Sequence, residues 1–367
     1  MMQKAAAIIG CFVVMALSNA VVPVLPSFAD DSASLQGAIY SAYFLGALFT
    51  VLPAGLLSDR FGRIPFIRTG LVLTLLPGIV LLFVTSPEML ILFRLIEGCG
   101  AGIFVSATLS WVNSREDHLK LAGIFFAALN AGLLSGILIA AILEPFLGNR
   151  GGLIVFTILS VVPCLLSVFM AESAERNVVQ AHFVDALVRY KWMYLAVFIL
   201  VGTSGVLTSL FPEFTDYSPQ GLAILLGAMN LSTIITSLIA PHIPLKPIAV
   251  IRAGGIIEGI ALLMAIVAPE LGYLVVFFVF VLTGAVIGFV FIAEVGYLGS
   301  TGYTQGTLMG IGNAATYGGM AILPLLTGYL AEYAGYGPAL GLIALFCFSV
   351  FLYIGRCTCT DSPGNAG

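Results

Sequence analysis

Uninterrupted apolar runs of about twenty residues alternate along this chain with short polar or Gly/Pro-rich stretches. Crossing a hydrocarbon core of about 30 Å takes roughly 20 helical residues. Twelve runs are of that scale: 5–27, 37–57, 66–84, 88–112, 121–145, 150–171, 191–213, 219–240, 248–268, 271–297, 305–330 and 335–356. They are apolar on every face, whereas a strand of a membrane barrel would alternate apolar and polar residues over about 10 positions. The pattern therefore predicts an all-α membrane protein with twelve transmembrane helices. Lys4, the apolar run after it and Ser18-Asn19-Ala20 have the outline of a secretory leader. That run continues to about Phe28, long enough to span, and is read as the first helix.

The twelve runs fall into two related sets of six. An offset of 186 residues carries Pro26, Phe28 and Asp30 onto Pro212, Phe214 and Asp216. It also carries Gly98 and Gly102 onto Gly284 and Gly288, Gly132 onto Gly318, and Gly151 onto Gly337. The repeat points to a duplicated six-helix unit. Six is even, so both copies share one orientation and are related by a pseudo-twofold axis along the membrane normal. The expected organisation is an N-terminal six-helix bundle over 1–171, a cytoplasmic linker over 172–190, and a C-terminal bundle with a short tail over 191–367. In the linker Val179, Phe183, Leu187 and Val188 recur at helical spacing opposite His182, Asp185 and Arg189, which predicts a helix lying on the inner membrane surface.

Composition agrees with a lipid bilayer as the solvent: 60% of residues are hydrophobic, 9% are charged, and mean hydropathy is +1.11. Soluble domains carry about 25% charged residues. No Lys/Arg cluster resembles a phosphate-binding patch, so nucleic acid is not an expected partner. With the amino terminus inside, twelve of the fourteen Lys/Arg residues fall on the cytoplasmic side; Arg94 lies within a helix and Arg150 lies outside. This asymmetry places both termini in the cytoplasm. Trp111 and Trp192, the two tryptophans, sit at the inner boundary as an aromatic belt would. Cys11, Cys99, Cys164 and Cys347 lie in apolar runs and read as small buried hydrophobes. Cys357 and Cys359 lie in the tail. His118, His182 and His242 have no partners at metal-ligand or triad spacing, and no phosphate loop is present, so neither an enzyme nor a metal or cofactor site is expected.

Candidate chemistry concentrates where polar groups break the apolar pattern. Between the second and third runs comes Gly55-Leu56-Leu57-Ser58-Asp59-Arg60-Phe61-Gly62-Arg63-Ile64. A carboxylate flanked by guanidiniums, with glycines on both sides, suits a tight turn in which Asp59 caps a helix N-terminus and Gly55 and Gly62 admit close backbone approach. Taken by itself, the stretch reads first as a positively charged cytoplasmic turn that only sets topology. Ionisable residues inside a membrane are costly, which makes Arg94, Glu97, Glu258 and Glu294 candidates by default. Arg94 and Glu97 are three apart and can pair on one helix face. The pair can tune or exchange a proton or hold a charged solute, or it can be a structural lock above a packing seam of Gly98, Gly100 and Gly102. Gly132 and Gly136 form a similar seam on the fifth run. For Glu258 and Glu294 the plain alternative is a protonated acid hydrogen-bonded between helices.

The Gly55–Arg63 stretch resembles the signature loop between helices 2 and 3 of the major facilitator superfamily, and Arg94 with its glycine-rich face resembles that family's helix 4 motif. The resemblance implies that Asp59 faces the start of helix 11 near Thr304–Thr307, that Arg94 takes part in proton coupling, and that helices 1, 4, 7 and 10 line a central cavity. That lining favours Glu294 over Glu258 as a pathway residue. Two departures stand out. The fifth run, Asn130-Ala-Gly132-Leu-Leu-Ser135-Gly136, lacks the glycine-proline of many proton-driven exporters. The loop Pro241–Pro247 has lost the aspartate and arginines that a second signature loop would carry. The resemblance implies a secondary transporter in the cell membrane, working by alternating access as a monomer, without cofactors and driven by a proton or ion gradient. Proton-coupled export of small organic or amphipathic compounds is the expected activity, with uptake of a small organic solute as the alternative and a non-transporting receptor as a minor one.

Overall fold

The computed structural model describes residues 2–21, 33–84, 86–172, 183–215, 217, 219–301 and 303–354. The helices are α1 (Met2–Ala20), α2 (Ala33–Phe61), α3 (Arg63–Leu81), α4 (Pro87–Asn113), α5 (His118–Leu147), α6 (Gly151–Ser167), α7 (Phe183–Phe214), α8 (Pro219–Ile239), α9 (Pro247–Leu271), α10 (Tyr273–Gly299), α11 (Gln305–Ala334) and α12 (Tyr336–Tyr353). Eleven of them are long and apolar enough to cross a membrane; α6, with 17 residues, is apolar and shorter. Large apolar side chains such as Ile142, Leu165, Leu274 and Leu352 stand exposed on outer faces, as lipid-facing surface requires and water would penalise. Pro26, Phe28, Asp30, Asp216, His182, Cys357 and Cys359 lie outside the described residues.

The helices begin and end where the backbone chemistry demands it. Ser86 caps α4, accepting from Met89 N at 3.4 Å, with Pro87 at the first helical position. Gly62 is the whole break between α2 and α3, with φ at +87°, a left-handed conformation that favours glycine.

The chain divides into two compact units. One comprises 1–116, 128–177 and 304–310; the other comprises 117–127, 178–303 and 311–367. Each contains its own core. In the first, Leu17, Ile39, Leu81, Leu153 and Phe156 are buried together, and Phe104 fills the space left by Gly10 and Gly70. In the second, Phe211 meets the ring of Phe280 edge-on at 5.2 Å.

The repeat is visible atom by atom. A Cβ on Gly98 would fall 1.9 Å from Tyr43 O, and one on Gly284 would fall 2.1 Å from Met229 O; Met229 is Tyr43 plus 186. Thr50 Oγ1 lies at 2.5 Å from the Gly102 position and Thr236 Oγ1 at 2.1 Å from the Gly288 position, again a pair at that offset. Thr50 Oγ1 is within hydrogen-bond distance of Gly46 O and Ala47 O, and Thr236 Oγ1 of Ser232 O and Thr233 O. Both glycine seams therefore let α4 and α10 approach their neighbours at backbone distance. The register slips by one residue further on. The place of Gly132, against Phe12 O, is taken by Gly319 against Phe198 O, and not by Gly318.

Gly98→Ala and Gly284→Ala are each expected to destabilise the protein by about 3 kcal/mol or more, beyond ordinary overpacking because the obstacle is backbone. Gly328→Ala, with nothing within 4 Å, is the control. Thermal melting followed by size-exclusion chromatography reads the difference; equal stability of all three variants would refute the seam.

Three expectations need correction. The tight turn expected over Gly55–Arg63 is confined to Gly62, because α2 stays helical through Asp59 to Phe61; its apolar and small residues support helix up to the one glycine that breaks it. Residues 183–190 are the first turns of α7, not a separate surface helix, since their apolar spacing continues into the seventh run; residues 173–182 lie outside the description. Trp111 is fully buried and donates to Ala171 O at 3.3 Å, so it serves packing and not an aromatic belt.

Candidate functional site

The sequence candidates gather at two places in the first unit and two in the second. At the end of α2, Asp59 does not cap α3, which follows it in sequence. Its Oδ1 accepts from Gly306 N at 2.8 Å; its Oδ2 accepts from Thr307 N at 2.7 Å and Thr307 Oγ1 at 2.8 Å. A carboxylate on the open N–H groups of α11 also meets the positive end of that helix's dipole. Close approach makes this possible: a Cβ on Gly55 would lie 2.4 Å from Gly306 O and 2.7 Å from Gly310 Cα. Beside it Asn113 Nδ2 donates to Gln305 Oε1 at 2.7 Å.

The N-terminus of α3 is held by Glu172. Its Oε1 accepts from Arg63 N in a short contact and from Ile64 N at 3.3 Å. Arg63 itself is buried, its Nε donating to Ser110 Oγ at 2.9 Å. Arg60, by contrast, is exposed, with its guanidinium 5.3 Å from the Phe61 ring. Arg68 donates to Ser167 O and Val168 O, satisfying carbonyls at the end of α6. Sequence reasoning missed Glu172, Ser110, Asn113 and Gln305. The one available cue for Glu172, an acidic residue at the end of an apolar run, is shared with Glu144 and Glu270.

Deeper in the same unit, Arg94 and Glu97 pair at 2.6 Å, with 1% and 0% of their side chains exposed. The guanidinium stacks 4.7 Å from the Tyr43 ring. Among the described residues, Arg94 Nε and Glu97 Oε1 have no hydrogen-bond partner. The pair is thus half-satisfied: one N–H and one carboxylate oxygen are left over in a buried setting where each costs free energy.

In the second unit Glu294 on α10 lies against α11. A Cβ on Gly312 would fall 2.2 Å from Glu294 Oε1 and 3.8 Å from the Tyr194 ring of α7. Glu258, midway along α9, is fully buried. The structure does not bring it together with Glu294: Glu258 shares its surroundings with Thr203, Thr283 and Cys347. The scattered hydroxyl and amide residues mostly serve their own helices, Thr203, Ser204 and Asn230 binding carbonyls of Leu200, Val201 and Leu226; Asn19 instead donates to Leu133 O of α5 at 3.1 Å. This is helix glue.

The place of Asp59 in the second unit is taken by Leu245, at the 186-residue offset. Here the start of α5 packs against α8 and α10. Gly123 lies against Ser237 O, and Phe126 stacks on Phe291 at 4.3 Å with the rings 3° from parallel.

Three comparisons bear on this arrangement. A family model described as Major Facilitator Superfamily matches residues 7–304. A Quinolone resistance protein NorB of Staphylococcus aureus (strain JH9) is 33% identical over 100 residues, 26% of this chain and 22% of that protein, so the match spans about a fifth of the relative's length. Among solved structures, the human organic anion transporter MFSD10 (TETRAN) superposes with a TM-score of 0.81 at 15% identity, covering 96% of this chain and 99% of that one. The Escherichia coli fucose:proton symporter FucP superposes with a TM-score of 0.71 at 18% identity, covering 96% and 97%. At such identities the two structures establish a common fold.

Proposed function

The chain belongs to the Major Facilitator Superfamily, and from that premise we propose that it is a proton-coupled exporter of small organic or amphipathic compounds. It works by alternating access of two six-helix bundles, the second of them beginning with α7 at Phe183. It acts as a monomer in the cell membrane with both termini in the cytoplasm, and a proton or ion gradient supplies the energy. The Asp59 cap on α11, together with Gly55, Gly62, Arg60 and Arg63, closes the inner side. Arg94 and Glu97 couple the proton, and Glu294 takes part as a second exchangeable carboxyl.

The observation that carries this reading is the buried Arg94–Glu97 pair with two polar atoms left over. A pair kept only for stability has no reason to be half-satisfied, whereas a pair that trades its partner for a proton or a solute does. The stretch similar to a quinolone resistance protein supports the outward direction. Uptake is the second reading, favoured by α5, whose one proline is Pro145 near its end, so the middle of that helix has no proline hinge.

Purified protein in liposomes with an internal pH dye, challenged with a panel of amphipathic organic cations, organic anions and sugars, decides between them. Proton movement driven by one solute, opposite in sense to that solute and lost in Glu97→Gln, is the expected result. Movement in the same sense establishes uptake by symport. Solute flux without proton movement overturns coupling and leaves the pair structural.

A further inference from the structure

The repeat breaks down at one corner of the second unit. In the first unit α6 begins with Gly151 and Gly152 pressed onto the end of α5. A Cβ on Gly152 would lie 2.5 Å from Ala140, and one on Gly151 would lie 2.9 Å from Leu147 and 3.0 Å from Leu143. The 186-residue offset carries Ala140, Leu143 and Leu147 onto Leu326, Tyr329 and Tyr333 of α11, and Gly151 onto Gly337 of α12. There the same faces stand open. Leu326, Tyr329 and Tyr333 are 40%, 65% and 71% exposed. A Cβ on Gly337 would meet Ile266 of α9 at 3.7 Å, and one on Gly341 would meet nothing within 4 Å.

The open corner continues along α12 as a groove of about 570 Å3, lined by Leu263 of α9, Leu330 of α11, and α12 from Pro338 past Gly341 to Phe348. Its lining side chains are hydrocarbon, so a polar or charged solute finds no partner in it. The Phe348 ring packs on α9, where a Cβ on Gly259 would fall 2.6 Å from it, and closes the far end. Pro338 to Phe348 is a rise of about 15 Å along a helix, half of a hydrocarbon core of about 30 Å. The groove is therefore one leaflet long. A helix of a second copy, about 10–12 Å across with its side chains, would fit only about one turn into such a volume. Leu263 and Leu345 line the groove and are 45% and 64% exposed, which makes it continuous with the lipid-facing surface. At its mouth, exposed Glu270 stands two turns beyond Leu263 on the same face of α9, and Tyr333 one turn beyond Leu330 on α11, its ring 4.7 Å from that of Tyr329. Tyrosines suit the boundary between hydrocarbon and water. No Lys, Arg or His occurs between 253 and 355.

We propose that this groove binds one acyl chain of a bilayer phospholipid whose headgroup carries an amine. The chain runs along α12 from Pro338 to Phe348 over the floor that Gly341 leaves bare, and burying its methylenes against hydrocarbon holds it there by packing. The amine meets the Glu270 carboxylate at the mouth. An anionic headgroup would face that carboxylate with no base of the same segment to offset it. On the orientation proposed above the lipid belongs to the outer leaflet, and the site does not depend on the direction or identity of any transported solute.

The test places the purified full chain in lipid nanodiscs with a trace of phosphatidylethanolamine carrying a diazirine at mid-chain. After irradiation the chain is cut with chymotrypsin and the label is mapped by mass spectrometry. Peptides between Pro338 and Phe348 are expected to carry about fivefold more label than those around the exposed Leu165 and Leu274. The same diazirine chain on phosphatidylglycerol should label them about threefold less, the scale of one exposed charge pair, and Glu270→Gln should erase that difference. Gly341→Leu, whose side chain enters the groove, should lower the α12 label about fivefold at an unchanged Tm. Label spread evenly over the lipid-facing peptides means ordinary solvent lipid and overturns the proposal. So does α12 label that Gly341→Leu leaves in place, or equal label from the two headgroups. Ready oxidative cross-linking of two copies through Leu345→Cys would give the face to a second copy and overturn it as well. Should Gly341→Leu fail to fold, Leu345→Trp at the exposed edge of the groove carries the comparison, and unchanged label there overturns it. Because the readout is lipid binding, its failure leaves the transport reading standing, and failed transport leaves this site standing.

Discussion

Asp59→Asn is expected to raise, by about tenfold or more, the rate at which a membrane-impermeant maleimide labels Thr304→Cys from the cytoplasmic side of inside-out vesicles. Asp59 holds the start of α11 by three hydrogen bonds, two from backbone N–H groups and one from the Thr307 hydroxyl. Hydrogen bonds to a charged group contribute about 1.5–3 kcal/mol each. Asparagine has one acceptor oxygen and turns an NH2 group toward a donor, so at least one bond is lost and the favourable charge at the helix N-terminus goes with it. A loss of about 2 kcal/mol corresponds to roughly a thirtyfold shift in the engaged-to-released ratio. Thr307→Val removes only the hydroxyl bond and should give a smaller rise. Asp59→Glu keeps the charge and should fall between. Labelling rates that do not change in Asp59→Asn would show that the cap does not hold the segment closed. The same outcome would withdraw Gly55 from that role, since its contact with Gly306 serves only to bring the two helices to capping distance.

Which of these features the sequence could reveal follows from how local their causes are. Span number and helix type were legible because burial in lipid acts on every residue of a run, leaving a signal tens of residues long. The pairing of Arg94 with Glu97 was legible because it is a matter of helical spacing, three residues apart on one face. The half-satisfied state of that pair was not, because it depends on which atoms of other helices come near. Glu172 was illegible for a similar reason. A capping carboxylate from a residue 109 positions away leaves no local trace, and the local rules pointed instead to Asp59, which the fold uses elsewhere. The glycine seams lie between these cases. Their offset of 186 residues marked Gly98 and Gly284 as equivalent, yet the slip that replaces Gly318 by Gly319 opposite Phe198 appears only when the carbonyl contact is seen. Trp111 shows a limit of belt reasoning: residue type and depth place it at the interface, but its burial and its bond to Ala171 O belong to the packed end of α4.

A double-mutant cycle at Arg94 and Glu97 is expected to separate lock from coupling device more sharply than either substitution alone. Arg94→Met removes the guanidinium that pairs with Glu97 at 2.6 Å and leaves a fully buried carboxyl without its partner, at a cost of about 3–5 kcal/mol. Its stacking on the Tyr43 ring at 4.7 Å is lost as well, worth about 0.5–2 kcal/mol. Arg94→Met/Glu97→Leu fills the same volume with apolar atoms, an exchange that is often neutral or stabilising by about 1–4 kcal/mol, so most of the lost stability should return. Arg94 Nε and Glu97 Oε1 strengthen that expectation, because the double variant removes two buried polar atoms that have no partner among the described residues. Melting temperature should therefore drop in the single variant and recover in the double one, a coupling well above the scatter for independent sites. Solute-driven proton movement in liposomes should be absent from both. A lock predicts a different fourth corner: the double variant, once stable, would transport normally and move protons with its solute. That result would leave the pair no role beyond holding α4, and would transfer the search for the coupling group to the second unit, where Glu294 faces Gly312 and Tyr194.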